Sequence, residues 1–385
     1  MSADKAYILV VDDNEHNRDM LSRRLQRQNY RVEVAEHGRQ ALERMRSEHF
    51  DLVLLDIMMP EMNGYQVLEH VKGDPALQFI PIIMISAIDD VDSVARCIEL
   101  GAEDYLFKPF NPILLRARIE ASLEKKRLRD QERAYLQALQ RDLEFGRRIQ
   151  AGFLPDQLPQ LPGWDLAAVF YSAREVAGDF YDSFLLPDGR LVLAIADVCD
   201  KGVGAALYMA LIRSLIRTHA ELLAVAGDDP LHAVRQTNRY VATHHQRSGS
   251  AMFSTLFFAV LSPDQGLLRY INAGHYPALL VSAPQAMAAL EPTGPAIGLA
   301  ATSHYTIAEA NLPPGSLLVA YTDGLIEARR GRGDFFGEDR LAALLSQPSQ
   351  SAEQVLTMLQ SALQVHLGDA APDDDVTLLA LRRTS

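Results

Sequence analysis

Two sets of aspartates carry most of the chemistry legible in this chain. Asp12, Asp13 and Asp56 lie near its start, together with Lys108, and Asp179, Asp197, Asp323 and Asp374 are spread over its second half. Carboxylates at the ends of apolar runs suit a hard cation such as Mg²⁺, and such cations serve phosphate chemistry. Two such sets imply a chain that handles phosphate twice, once as signal and once as substrate.

The first set needs a frame that brings distant residues together. Apolar runs at Tyr7–Val11, Val32–Ala35, Leu52–Leu55, Ile80–Ile85 and Asp104–Phe107 read as buried parallel strands. Amphipathic stretches such as Asn17–Gln28 and Arg39–Arg46 suit crossover helices. The alternation predicts an α/β doubly wound domain of about a hundred residues with a five-stranded parallel sheet. In such a sheet the carboxyl ends of the strands share one crevice. Asp12 and Asp13 follow the first strand, Asp56 the third, Ser86 the fourth and Lys108 the fifth, so they converge. Two acids can hold Mg²⁺ while the third attacks a phosphoryl group, and Lys108 and Ser86 can hold the added oxygens. Any one of these acids alone reads as a solvated loop residue; five matches at the right strand ends do not.

This segment resembles the response-regulator receiver family over about Lys5–Leu123. The resemblance rests on Val11-Asp-Asp-Asn14, Leu55-Asp-Ile-Met-Met-Pro60, Met62-Asn-Gly64, Ile85-Ser-Ala87 and Asp104-Tyr-Leu-Phe-Lys-Pro109. It implies Asp56 as phospho-acceptor, with Asp12, Asp13, Asp56 and the Met58 carbonyl as Mg²⁺ ligands. It also implies Ser86 and Tyr105 as switch residues beside Lys108. Phosphorylation is then a local electrostatic event with a larger readout.

From Asn111 to about Gln150 the pattern turns helical. Leu114, Ala121, Leu128, Tyr135 and Leu139 recur at helical spacing, continued by Leu136, Leu143 and Ile149 among charges of mixed sign. About forty residues at ~1.5 Å rise span roughly 60 Å. The heptad-like spacing suggests a coiled coil in a dimer, against a shorter helix packed on its own domain. Pro155, Pro159 and Pro162 close the helix. The expected domains are 1–123, a helical linker 124–152, and 153–385.

Beyond the prolines, strand-like runs with hairpin signals dominate. Phe184–Leu186 and Leu191–Ile195 flank one turn, and Phe253–Leu261 and Leu267–Ile271 flank another. Helical stretches fall at Gly204–His219, Pro230–Gln246, Leu341–Leu345 and Ala352–Leu367. This segregation predicts an α+β domain of packed sheets flanked by helices.

Four segments in it carry acids and glycines: Glu175-Val-Ala-Gly-Asp179-Phe-Tyr-Asp182, Ala196-Asp197-Val-Cys-Asp-Lys-Gly-Val-Gly204, Tyr321-Thr-Asp323-Gly-Leu-Ile-Glu327 and Pro372-Asp-Asp374-Asp-Val-Thr377. Brought together by two sheets, they make an open carboxylate cage. Water activated between two cations is a strong nucleophile near neutral pH, which suits phosphate-ester hydrolysis without a covalent enzyme intermediate. Singly, each segment reads as a turn or a solvated loop. Together they resemble the SpoIIE/RsbU-type serine phosphatases of the metal-dependent (PPM) class, over about Leu143–Arg382. Arg147-Arg-Ile-Gln150 with Phe153-Leu-Pro155, Met252-Phe-Ser-Thr-Leu256 and Asn272-Ala-Gly-His275 with Pro277 extend the resemblance. It implies two Mn²⁺ or Mg²⁺ ions held by Asp179, Asp197, the Val198 carbonyl, Asp323 and Asp374, with Asp373 and Asp375 as alternatives to Asp374. Ala177 and Asp200 depart from the family pattern without removing a ligand. Arg174 is a candidate grip on substrate phosphate, against a plain surface arginine, and Asp182 a candidate orienter of metal waters, against a turn acid. His275 is read as structural, Cys97 and Cys199 as packing residues, and Met58, Met59 and Met62 as loop and core.

Composition narrows the output. A formal charge of −13 disfavours binding of DNA. Two cysteines imply no disulfide framework. The N-terminus is not a signal peptide, and no apolar run reaches membrane-spanning length, so a soluble cytoplasmic protein is the expectation. The resemblances imply a response regulator, phosphorylated on Asp56 by a histidine kinase or phosphotransfer protein. Its output is dephosphorylation of a phosphoserine or phosphothreonine on an anti-sigma-factor antagonist in partner switching, from a homodimer. The alternatives are a binding module that sequesters a partner with little turnover, and a phosphatase of another signalling protein.

Overall fold

The computed structural model describes residues 5–87, 91–109, 111–244, 252–282, 286–331, 333–368 and 370–384. The chain divides into two compact units, Met1–Leu139 and Gln140–Ser385.

The first unit is a parallel sheet in the order β2-β1-β3-β4-β5, with β1 Tyr7–Val11, β2 Arg31–Ala35, β3 Leu52–Asp56, β4 Ile82–Ser86 and β5 Asp104–Phe107. Helices α1 Glu15–Arg27, α2 Gly38–Ser47, α3 Gly64–Gly73 and α4 Val91–Glu99 make the crossovers. Every residue of β1, β3 and β4 is buried, because helices cover both sheet faces. Leu9, Val11, Val53 and Leu55 feed one core, and Ile8, Val10, Leu52 and Leu54 the other, as the two-residue period of a strand requires. The fourth strand starts at Ile82 rather than Ile80, since Pro81 has no N–H for a ladder; its carbonyl instead accepts from Val53 N. Asn63 and Gln66 close a capping box at the start of α3.

Helix α5 runs from Pro112 to Ala151 without a break. Its first turns belong to the receiver-like unit: Leu115 and Ile119 are fully buried against Ile8, Val10 and Leu106. Farther along, Lys125 and Arg129 pair with Glu103 at 2.5 and 3.1 Å, and the Arg133 guanidinium stacks 3.3 Å over the Phe79 ring. Those two cations hold the Glu103 carboxyl below the usual range although burial pushes it up.

The second unit is a sandwich of two antiparallel sheets. One has the order β13-β10-β9-β8-β7, from Ala308–Asn311, Leu267–Ala273, Ser254–Ser262, Leu191–Val198 and Phe180–Leu185. The other has the order β12-β11-β14-β17-β6, from Ala286–Leu290, Ala278–Ser282, Leu317–Tyr321, Val376–Arg383 and Trp164–Tyr171. Alternate residues of each strand serve different cores. Leu191, Leu193 and Ile195 meet Leu379 and Leu381 between the sheets. Val192, Ala194 and Ala196 face α6 Val203–Ala226 and α7 His232–His244. Leu378 and Ala380 face α9 Gly337–Leu345 and α10 Ala352–Leu367. Between β14 and α9 lie the short helix α8 Asp323–Ile326 and a small hairpin, β15 Arg329–Arg330 with β16 Asp334–Phe335. Helix α6 outruns the expected end at His219 because Ala220–Ala226 offers no breaker before Gly227, which caps it in the left-handed conformation. Residues 245 and 246 of the expected α7 lie outside the described residues. Among the described residues no helix is long and apolar enough to cross a membrane.

Truncating Ile119 to Ala should cost about 3 kcal/mol of receiver-unit stability, as for other fully buried aliphatics. A denaturant midpoint that does not move would refute the packing of α5 on that core.

Candidate metal and phosphoryl-transfer sites

In the first unit the strand ends converge. Among the described residues, Asp12, Asp13 and Asp56 form the trio whose ligand atoms all lie within 4.8 Å of one another. Asp12 and Asp56 are buried and Asp13 is exposed, which leaves the pocket open on one side. Lys108 reaches across with Nζ 2.8 Å from Asp12 Oδ2 and 2.9 Å from Asp56 Oδ2. Asp12 is fixed further by the Asn14 backbone N–H at 2.9 Å and by the Asn17 amide. Burial raises the Asp56 carboxyl above its ordinary pKa, while Lys108 pulls it down. Ser86 is fully buried at the end of β4, and its carbonyl accepts from Lys108 N at 2.6 Å. Tyr105 is buried, its ring edge-on to Phe107 at 4.9 Å. Met58 follows β3 with its side chain exposed, and Met59 joins the core. A Cβ at Gly64 would collide with the Asp56 carbonyl, so glycine is what lets α3 begin against the acid pocket.

In the second unit the dispersed acids meet at one end of the sandwich. Pairing of Phe180 with Ala196 sets Asp179, just ahead of β7, across from Asp197 near the end of β8. Pairing of Tyr321 with Leu378 sets Asp323, two residues past β14, near Asp374, two residues ahead of β17. Two threonines join the pairs: Thr322 Oγ1 and Thr377 Oγ1 donate to the same oxygen, Asp179 Oδ2, at 2.7 and 2.8 Å. Thr377 N in turn donates to Thr322 Oγ1 at 3.0 Å.

The electrostatics mark the same group. Asp179 is 2% exposed; burial and the neighbouring Asp197 raise its pKa well above the carboxylate range. Burial, then Asp197 and Asp374, push Asp323 to about 7. Asp197 is pushed to about 6 by burial and by Asp374, against a hydrogen bond from Asp179. Crowded, desolvated carboxylates are costly until a cation compensates them. This all-oxygen donor set therefore fits hard divalent ions, which would be held by Asp179, Asp197, the Val198 carbonyl, Asp323 and Asp374.

The Pro372–Val376 loop separates its three aspartates by role. Asp375 spends both oxygens on backbone: Oδ1 accepts from Ala173 N and Oδ2 from Gly178 N, each at 2.8 Å. Asp374 accepts from Lys201 Nζ at 2.7 Å and is the member of the loop that raises Asp323. Asp373 is exposed, and its carbonyl accepts from Lys201 Nζ at 2.9 Å. The Asp182 carboxylate, read from sequence as an orienter of metal waters, is paired instead with Arg213 at 2.9 Å and Arg217 at 3.3 Å, both on α6. Arg174 lies exposed in the segment ahead of Asp179.

Two motifs find their purpose behind Asp197. Ser254 Oγ donates to the Asp197 carbonyl at 3.0 Å, and Thr255 Oγ1 lies 2.7 Å from His275 Nδ1. Burial drives the His275 pKa down to about 4, so the ring is a neutral prop. Cys199 Sγ accepts from Phe253 N at 3.0 Å, and Cys97 is fully buried. Sequence reasoning missed Thr322, Thr377 and Lys201 as members of the site. The signal was there: each stands within four residues of an acid already singled out, and two carry hydroxyls beside strand ends.

A side chain at Gly324 would drive its Cβ into the Asp375 carbonyl. Gly324→Ala should therefore destabilise the second unit by about 2 kcal/mol, in the range of other overpacked sites. An unchanged melting temperature would show that this turn is looser than described.

Comparison with known proteins agrees with this geometry. The family model for Stage II sporulation protein E (SpoIIE) matches residues 187–384, more than half of the chain. The model for the response regulator receiver domain matches residues 8–120. Protein IcfG of Synechocystis sp. is 40% identical over 264 residues, which are 63% of this chain and 41% of that protein, so the match spans less than half of that relative's length. Phosphoserine phosphatase RsbU of Bacillus subtilis is 29% identical over 252 residues, 65% of this chain and 72% of that protein. The solved SiaA-PP2C domain of Pseudomonas aeruginosa shares the fold, with a TM-score of 0.56 at 23% identity over 65% of this chain and 98% of that one. The chain belongs to the SpoIIE family and carries a response-regulator receiver domain at its N-terminal end.

Proposed function

We propose that this chain is a response regulator whose output is hydrolysis of a phosphoserine or phosphothreonine on a protein, set by phosphorylation of Asp56. The observation that carries the reading is the group of buried Asp179 with half-buried Asp197 and Asp323, raised in pKa first by desolvation and then by neighbouring carboxylates, in a SpoIIE-family domain that shares a chain with a complete receiver acid pocket. The name of RsbU, a phosphoserine phosphatase, supports the substrate class. An anti-sigma-factor antagonist is the substrate this branch implies, and a histidine kinase or phosphotransfer protein the donor to Asp56.

Two Mn²⁺ or Mg²⁺ ions, when bound, supply positive charge to the phosphoryl group and make water a nucleophile near neutral pH. The chain's own residues do the rest. Thr322 and Thr377 turn one oxygen of Asp179 away and leave the other for a cation. Ser254 holds the Asp197 carbonyl, and Lys201 neutralises Asp374. Arg174, exposed ahead of Asp179, would grip the substrate phosphate. In the receiver, Asp12, Asp13 and the Met58 carbonyl would hold Mg²⁺ with Asp56, and Lys108 would move with the new phosphoryl oxygens while Ser86 and Tyr105 respond. Exposed apolar residues of α5, Leu128, Tyr135, Leu136 and Leu139, support pairing with a second copy through this helix.

Asp197→Asn and Asp323→Asn should each abolish Mn²⁺- or Mg²⁺-dependent hydrolysis of a phosphoserine protein. Metal-free Asp323→Asn should melt no lower than wild type at pH 8, because a repelling buried charge is gone. Activity retained in both variants would sink the site assignment. A second measurement concerns control: acetyl phosphate or beryllofluoride should change turnover in the wild type and leave Asp56→Asn unaffected. Equal rates with and without the modifier would refute coupling.

A further inference from the structure

The segment Ser172–Asp179 lies between β6 and β7 and belongs to neither sheet, so its backbone groups have no ladder to join. Two side chains take their place. Asp375 receives the N–H groups of Ala173 and Gly178. Gln150, one residue from the end of α5, pairs with Ala177 in both directions: its Nε2 donates to the Ala177 carbonyl at 2.6 Å, and its Oε1 accepts from Ala177 N at 2.9 Å. Gln150 is 9% exposed and Ala177 1%, so water does not replace these bonds. One helical turn earlier, Gly146 faces Val176, with space for an added Cβ 3.8 Å from Val176 Cγ1. The end of α5 thus lies close against the strand-free segment.

We propose that Gln150 is a positioning residue for the metal centre: its amide fixes the backbone two residues ahead of Asp179 and so fixes that carboxylate. The inference rests on the reading of this domain as a metal-dependent phosphatase. Asp179 is held at its tip by Thr322 and Thr377, which set the direction of one oxygen only. Where its Cα stands depends on the segment behind it. Gly178 also packs there, with an added Cβ 3.0 Å from the Val198 carbonyl, so a shift of Ala177 moves both a carboxylate and a carbonyl of the cage. A side-chain amide can donate to the C=O and accept from the N–H of one residue in this way, and glutamine has the reach. Methionine fills similar space and does neither, leaving a buried N–H and C=O unpaired. Glutamate keeps the bond from Ala177 N and sets an oxygen against the Ala177 carbonyl.

The test is calorimetric titration of Mn²⁺ into the metal-free full chain, wild type beside Gln150→Met and Gln150→Glu, with melting curves of each. Gln150→Met should weaken Mn²⁺ binding about 10-fold, the scale seen when a residue supporting a metal ligand is lost. The KM for a phosphoserine peptide at saturating Mn²⁺ should stay unchanged, which a general loosening of the fold would not allow. If Gln150→Met does not fold, weakened binding by folded Gln150→Glu supports the proposal in its place. Wild-type Mn²⁺ affinity in a folded variant overturns it, as does a wild type that binds no Mn²⁺. A wild type that binds Mn²⁺ yet hydrolyses no phosphoserine peptide overturns the phosphatase reading alone, and the calorimetric comparison still decides on Gln150.

Discussion

The second unit is organised around one oxygen atom. Asp179 Oδ2 accepts two threonine hydroxyls, one from the turn after β14 and one from the start of β17, while Asp179 itself opens β7 of the other sheet. The bond set therefore ties the two sheets at the end where the remaining acids collect. A sandwich core is non-directional: Leu191, Leu193 and Ile195 against Leu379 and Leu381 would tolerate a small slide between sheets. Two short hydrogen bonds to one fixed oxygen would not. Apolar packing makes the sandwich, and the threonines set its alignment at the level of the carboxylates.

That alignment has an electrostatic cost which shapes the neighbourhood. Buried Asp179 and half-buried Asp197 stand side by side, and Asp323 and Asp374 add to the repulsion. The fold reduces the problem without abolishing it. Lys201 takes Asp374, Arg213 and Arg217 take Asp182, and Asp375 is absorbed by backbone N–H groups. What stays uncompensated is the inner group that a pair of divalent ions would satisfy. The distribution of partners among six nearby aspartates thus separates Asp182 and Asp375, which hold the frame, from Asp179, Asp197, Asp323 and the lysine-paired Asp374.

Much of this was legible in the sequence, and the part that was not has a physical reason. Strand ends in the first unit were plain because a sheet buried on both faces writes continuous apolar runs, and the acids follow them directly. The dispersed acids of the second unit were also plain, because glycines beside them mark close backbone approach. Asp182 was not readable. It shares a face of β7 with buried Phe180 and Phe184, and only the fold shows that α6 brings Arg213 and Arg217 over it. Asp374 and Asp375 could not be told apart either, since adjacent residues on an extended chain point opposite ways and the sequence does not say which way faces the cage. Thr322 and Thr377 carry hydroxyls beside strand ends in the sequence, but the one oxygen they share, Asp179 Oδ2, shows only when the two sheets are brought together.

The two acid sets differ in how charge is balanced. In the receiver the chain supplies its own counter-charge: Lys108 lies within 2.9 Å of both Asp12 and Asp56. That lysine offsets part of what burial does to Asp56, pulling its pKa down where desolvation raises it. In the second unit no lysine or arginine pairs with Asp179, Asp197 or Asp323 among the described residues, and Asp179 is held by neutral hydroxyls. Hydroxyls orient a carboxylate without neutralising it, so the whole charge remains for metal. One site balances its acids with a lysine of the chain itself; the other leaves them to one another and to neutral hydroxyls.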